Sequence, residues 1–208
     1  MRRIEIDDLN SSREETFHLR ELLGHGGVVA LPTETFYGLA CDPWSEPGVR
    51  RICEIKGRDA VKALPVLFAS REHVERLGVD APASLLDSYF QIWPAPLTVV
   101  LPIRRPIAAS RGLVKLGVRM PADRKLRMLL ARVGPVTGTS VNRSGSTPLD
   151  DPEAIEALFR RDIDVLVDGG KTPGGKPSTV LDATSAPPTV LRPGAYAWVR
   201  PPAAGPRP

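Results

Sequence analysis

The sequence predicts a single α/β domain built on an open, twisted, mixed sheet flanked by helices. Two observations carry that reading. Short apolar runs of strand type alternate with segments of helical pattern along most of the chain, the order expected of an α/β protein. The runs at 179–181 and 189–191 follow 165–167 too closely for helical crossovers, so part of the sheet is antiparallel.

Taken in order, residues 3–6 alternate and predict a first strand. Ser12 followed by Glu15 has the pattern of a capping box, which predicts a helix over 13–23. Gly24, Gly26 and Gly27 end it. Residues 28–31 form a short strand that Pro32 stops, because proline cannot donate to a ladder. A helix is expected over 48–55 and a buried strand over 64–68. Ser70 caps a helix ending at Arg76, and another covers 83–90. Strands follow at 97–101 and 116–119, and Asp123 caps a helix ending at Val133. Residues 136–140 read as one strand running into the polar loop SVNRSGSTP. A helix with proline in its first turn covers 152–160, before the three late strands. The domain is expected to end near residue 198, and the proline-rich 199–208 reads as a flexible tail.

Composition excludes several classes. With 208 residues the chain can bury a full core without staples. Cys41 and Cys53 are its two cysteines, too few for a disulfide framework and wrongly spaced for a redox pair or zinc knuckle. The three histidines, His18, His25 and His73, are too scattered for a local metal motif, so no protein-held metal is expected. No apolar run approaches a membrane span and the first residues do not form a signal peptide, so the cytosol is the expected compartment. The net charge of +4 is a mild basic excess, compatible with nucleotide or RNA ligands.

Six polar clusters sit where α/β proteins place ligands, at strand ends. In PTETFYGL (32–39), Thr33 and Thr35 offer hydroxyls, and Thr33 could cap a short helix facing an anion. In KGRDAVK (56–62), Lys56, Arg58 and Lys62 share one face if the segment is extended, which suits a polyphosphate. Arg119, on a strand with apolar Leu116 and Val118, needs a partner: a ligand carboxylate or an internal acid. In TSVNRSG (139–145), Ser140, Asn142 and Ser144 alternate with Val141 and Arg143. Ser178 and Thr179 enter a strand, and Arg192 leaves one. Gly170 to Lys176 has P-loop spacing, but Pro177 and a strand follow instead of Ser or Thr and a helix, so a P-loop is rejected.

In order, VVALPTETFYGLACD, KGRDAVKALPVL, WPAPLTVVL, GVRMP, TSVNRSG, PSTVLD and LRPGA resemble the YrdC-like family, also called TsaC, the threonylcarbamoyl-AMP synthases. They run from Val28 to Ala195, so the chain resembles the short, single-domain form. The resemblance implies a large, concave, positively lined cavity. It implies the conversion of L-threonine, bicarbonate and ATP to threonylcarbamoyl-AMP and pyrophosphate, with Mg²⁺ accompanying ATP. A separate transferase complex then modifies tRNA, and some family members bind RNA. By resemblance, Lys56, Arg58, Lys62, Asn142 and Arg192 serve ATP, with Lys56 and Arg58 catalytic. Thr35, Arg119, Ser140 and Ser178 hold threonine, with Arg119 on its carboxylate. Glu34 is a general-base candidate by position alone.

Three positions depart from the family pattern. Asp59 stands where proline is frequent, Val141 where alanine is frequent, and Leu67 near the place of a histidine in longer relatives. Asp59 resembles a paralogous, YciO-like branch, which leaves an RNA-binding or other tRNA-modification role as the alternative reading.

Overall fold

A computed structural model describes residues 1–57 and 62–199. Arg58 and Asp59, and residues 200–208 of the expected tail, lie outside the described residues. The fold is α/β, and its strands form two mixed sheets where the sequence reading has one.

β1 (Arg2–Glu5) leads directly into α1 (Ile6–Ser11), a helix absent from the sequence reading, and then α2 (Arg13–Gly24). Ser12 serves both helices. Its N–H donates to Asp8 O at 2.9 Å, ending α1, and its hydroxyl accepts from Glu15 N at 3.1 Å, capping α2. The expected capping box is therefore half made. With Ser12 N already engaged, the Glu15 carboxylate pairs with Arg2 at 2.6 Å instead. β2 (Val29–Leu31) and the unforeseen β3 (Gly38–Ala40) follow. α3 (Glu46–Lys56) starts at the Ser45 cap and ends at Gly57, whose φ of 56° is the left-handed region that glycine enters freely. The remaining elements are β4 (Val66–Leu67), α4 (Arg71–Arg76), α5 (Ala83–Ile92), β5 (Leu97–Pro102) and a 3₁₀ turn at Ala108–Ser110. They are followed by β6 (Lys115–Arg119), α6 (Arg124–Val133), β7 (Val136–Thr137), β8 (Thr139–Ser140), α7 (Pro152–Phe159), β9 (Val165–Asp168), β10 (Thr179–Asp182) and β11 (Thr189–Arg192). Asp123 caps α6 as expected, accepting from Leu126 N at 2.7 Å. Ser70 makes no such cap; its hydroxyl donates to the Glu72 carboxylate.

The first sheet has the order β1-β9-β2-β3-β8 and the second β11-β10-β5-β6-β4-β7. The expected strand over 136–140 thus divides: β7 belongs to the second sheet and β8 to the first. Gly138 makes the crossing. Its N–H bonds Pro65 O at 2.8 Å, and a Cβ there would lie 2.5 Å from the Leu67 side chain. Glycine is what lets the chain pass that close.

Two apolar clusters hold the layers. One packs α1, α2 and α6 on the first sheet through Leu9, Leu19, Leu126, Leu129 and Leu130 against Val29, Leu31 and Val167. The spacing of the α6 leucines puts them on one stripe, and each Leu→Ala there costs about 2–5 kcal/mol. The other joins Val28, and Ala30 and Leu166 of the first sheet, to α3, α7 and the inner face of the second sheet. Among the described residues, no helix is long and apolar enough to cross a membrane.

Candidate active site

The side-chain alternation of the second sheet builds the site. On β6, Leu116 and Val118 point into the core, while Lys115, Gly117 and Arg119 line a cavity of about 410 Å³. On β5, Leu97, Val99 and Leu101 are core, and Thr98 and Val100 line the cavity. Ser178 and Val180 extend this face through β10, and Leu191 and Arg192 through β11. Thr33, Thr35 and Tyr37, between β2 and β3, close it from the first sheet, with Ser140 beside them. Gly117 keeps the floor open, since a Cβ there would come within 3.2 Å of Thr98 Cγ2. The charged residues lining the cavity, among those described, are Lys115, Arg119 and Arg192, all cationic. Such a cavity suits an anionic ligand.

Arg119 is 6% exposed. Its Nη2 lies 2.6 Å from Oε1 of Glu34, so the internal acid that the sequence allowed is present. The approach is off the N–H direction, however. Arg119 Nε and Nη2 and both Glu34 carboxylate oxygens are buried without a hydrogen bond. The distance makes an ion pair and the angles make no hydrogen bond; the angles decide what remains unsatisfied. Leaving such groups unsatisfied costs free energy.

Thr33 caps no helix. Its hydroxyl donates to Phe36 O at 2.7 Å and accepts from Thr35 N at 3.1 Å, a hydroxyl turn. The Thr33 proton being committed, Thr35 Oγ1 donates across the 3.0 Å contact between the two hydroxyls. The free lone pairs of Thr35 are then acceptors at the cavity, suited to an ammonium. Across the cavity, Ser178 Oγ meets Thr98 Oγ1 at 3.1 Å. Arg192 Nη2 donates to Ser178 O at 2.8 Å and lies 3.3 Å from its Oγ. Burial, and then the charge of Arg119, push the Arg192 pKa down.

Lys56 is not on an extended face: it is the last residue of α3. Its Nζ donates to Ser140 O at 2.6 Å, Asn142 O at 3.1 Å and Asn142 Oδ1 at 2.8 Å. Ser140 Oγ also donates to Asn142 Oδ1, at 2.7 Å. Lys56 and Asn142 therefore shape the loop that presents Ser140, and neither lines the cavity. Lys62 is exposed. Val141 is fully buried in the core, so its bulk points away from the cavity.

Thr35, Arg119, Ser140, Ser178 and Arg192 are thus brought together. Lys115 and Thr98 are additions that the sequence reading lacked. In KLGVR (115–119) the two cations have even separation, the one signal that could have placed Lys115 on the Arg119 face. Among the described residues, no group of three or more His, Cys, Asp or Glu could hold a metal ion.

The Sua5/YciO/YrdC family model, described as telomere recombination, matches residues 21–194. The chain belongs to this family. Among curated members, it is similar to threonylcarbamoyl-AMP synthases. That of Pyrococcus abyssi is 40% identical over 81% of this chain and 51% of the relative. That of Bacillus subtilis is 34% identical over 90% of this chain and 56% of the relative. The chain therefore spans about half the length of these two members. The Coxiella burnetii member is 30% identical over 86% of this chain and 96% of the relative. Of solved structures, P. abyssi Sua5 complexed with L-threonine superposes with a TM-score of 0.78 at 35% identity, covering 93% of this chain and 57% of that one. E. coli YciO has a TM-score of 0.76 at 24% identity, covering 88% of this chain and 90% of that one, a likeness of fold.

Proposed function

We propose that the chain is an L-threonylcarbamoyladenylate synthase, a nucleotidyltransferase that makes threonylcarbamoyl-AMP and pyrophosphate from L-threonine, bicarbonate and ATP. The observation that carries this reading is Arg119, buried at a cation-lined cavity with two donors left unbonded. The curated members' shared name and the L-threonine complex of P. abyssi Sua5 support it.

In this reading Arg119 takes the threonine carboxylate, and Thr35 accepts from the ammonium. Ser140 and Ser178 complete the pocket. The ammonium loses a proton to solvent, the free amine and bicarbonate give a carbamate with loss of water, the carbamate oxygen attacks the α-phosphorus of ATP, and pyrophosphate leaves. The chain's part is to position and neutralise. Arg192 and Lys115 offset charge on the nucleotide side, and Lys56, through Asn142, sets the Ser140 loop. Arg58 and Lys62 are proposed for the triphosphate. Mg²⁺ enters as part of the ATP substrate, keeping much of its water. The buried oxygens of Glu34 make it the counter-ion of Arg119. The product passes, in the cytosol, to a separate complex that modifies tRNA.

The test is turnover of radiolabelled bicarbonate with ATP, Mg²⁺ and threonine, following an acid-labile adenylate together with pyrophosphate, with serine as control. Threonine-dependent product supports the reading. Intact ATP binding without product favours the YciO-like, RNA-binding alternative, the branch that Asp59 resembles.

A further inference from the structure

The glycine-rich segment with P-loop spacing has no phosphate role in this reading, yet it makes a dense set of bonds to the site. It runs from the end of β9 to Ser178, ahead of β10. Its start is pinned by Tyr37, fully buried, whose hydroxyl accepts from Gly169 N at 3.1 Å and donates to Gly170 O at 2.8 Å. Its middle grips Thr35. Gly174 N donates to Thr35 O at 2.7 Å, and the Thr172 hydroxyl donates to the same oxygen at 3.1 Å. Thr172 is 7% exposed, and its N–H is held by Asp150 O at 2.8 Å. Gly174 has a φ of +64°, and a Cβ there would meet Asp150 Oδ2 at 2.8 Å, so the turn that delivers its N–H requires glycine.

The Thr35 amide and hydroxyl are held by Thr33 on one side and its carbonyl by this segment on the other. The same segment ends in Ser178, across the cavity. One loop thus ties together two hydroxyl-bearing residues, Thr35 and Ser178, that line the proposed amino-acid pocket. We infer that residues 169–177 are a brace for the threonine subsite and that Thr172 is a positioning residue acting through Thr35. This rests on the synthase reading. A ligand hydroxyl that is free to move loses the benefit of preorganisation, which appears in substrate affinity and not in the affinity for a co-substrate held elsewhere.

Thr172→Val removes the hydroxyl at nearly constant volume, and Thr172→Ser restores it. Expected for Thr172→Val is a threonine KM about tenfold higher with the ATP KM within about twofold, and recovery in Thr172→Ser, as for loss of one hydrogen bond. An unchanged threonine KM, a parallel rise of both constants, or failure of Ser to recover overturns the brace. Amide exchange in the unmodified protein needs no variant to fold. Threonine binding should slow exchange at Gly174 by about tenfold or more, because coupling between loop order and ligand is reciprocal. Unaltered exchange under saturating threonine overturns the brace while leaving the synthase reading intact. A wild-type chain that neither binds nor turns over threonine overturns that reading, and the brace with it.

Discussion

Glu34 lies 2.6 Å from Arg119, which lines the cavity, and shares no hydrogen bond with it. The pair supplies charge neutrality without satisfying the donors, leaving Arg119 electrostatically tolerable with two donors unbonded. A buried arginine without any counter-ion is costly, and one fully bonded by its own protein has little left for a ligand.

Glu34→Gln should destabilise the free protein by about 3 kcal/mol, the cost of stranding a buried charge. Threonine, bringing its own carboxylate, should then raise the melting temperature of the variant more than that of the wild type. Thermal melts with and without threonine decide this, and equal shifts would mean that the ligand carboxylate does not meet Arg119.

Arg119→Ala should raise the threonine KM well beyond any change for ATP. Arg58→Ala should instead lower turnover by about 10²-fold, if it neutralises the charge that develops on the transferred phosphoryl group. Steady-state kinetics with each substrate varied separates the two. The reverse pattern would exchange their assignments.

Lys56→Met tests whether Lys56 acts on the nucleotide or on the fold. With the Lys56 bonds to Ser140 O, Asn142 O and Asn142 Oδ1 lost, and only the last acceptor keeping Ser140 Oγ as a donor, the variant should lose about 2–3 kcal/mol of stability. Denaturant unfolding measures this without substrate. Unaltered stability would return Lys56 to the role of a phosphate ligand.

The Tyr37 phenol is pushed from 10.0 up to about 12, chiefly by burial, with Gly169 N–H opposing and the charge of Asp168 adding to the rise. The folded protein holds this proton more tightly than the unfolded chain. The associated stability is complete below pH 10 and is lost as pH rises toward 12, by a few kcal/mol at most. Tyr37→Phe should flatten that alkaline slope. An unchanged slope between pH 10 and 12 would mean that the phenol is not shielded from water.

Much of the fold was legible because local signals and tertiary structure agree. Asp123 caps α6 where the sequence placed it, and the leucine stripe fixes that helix's buried side. What was hidden depends on distant contacts. β3, Gly38–Ala40, has no strand propensity of its own and is defined by Val29 and Thr139 on its two sides. The division of 136–140 between two sheets turns on the room Gly138 leaves for Leu67. In the site, Arg119, Ser140 and Ser178 fall on one cavity. The extended face proposed for 56–62 failed at Lys56, because periodicity of two was applied to a residue that closes a helix. Glu34 and Arg119 are 85 positions apart (119 less 34), so no local pattern could join them.

β1 pairs in parallel with β9, Arg2 beside Val165 and Glu5 beside Asp168, and β9 also separates β1 from β2. During synthesis, β1 therefore waits for a strand made about 160 residues later. At the usual pace of translation that interval is on the order of 10 s. Throughout it, the apolar edge of β2 and the unpaired β1 are open to other chains. Closure of the first sheet is a long-range event of the kind that slows folding.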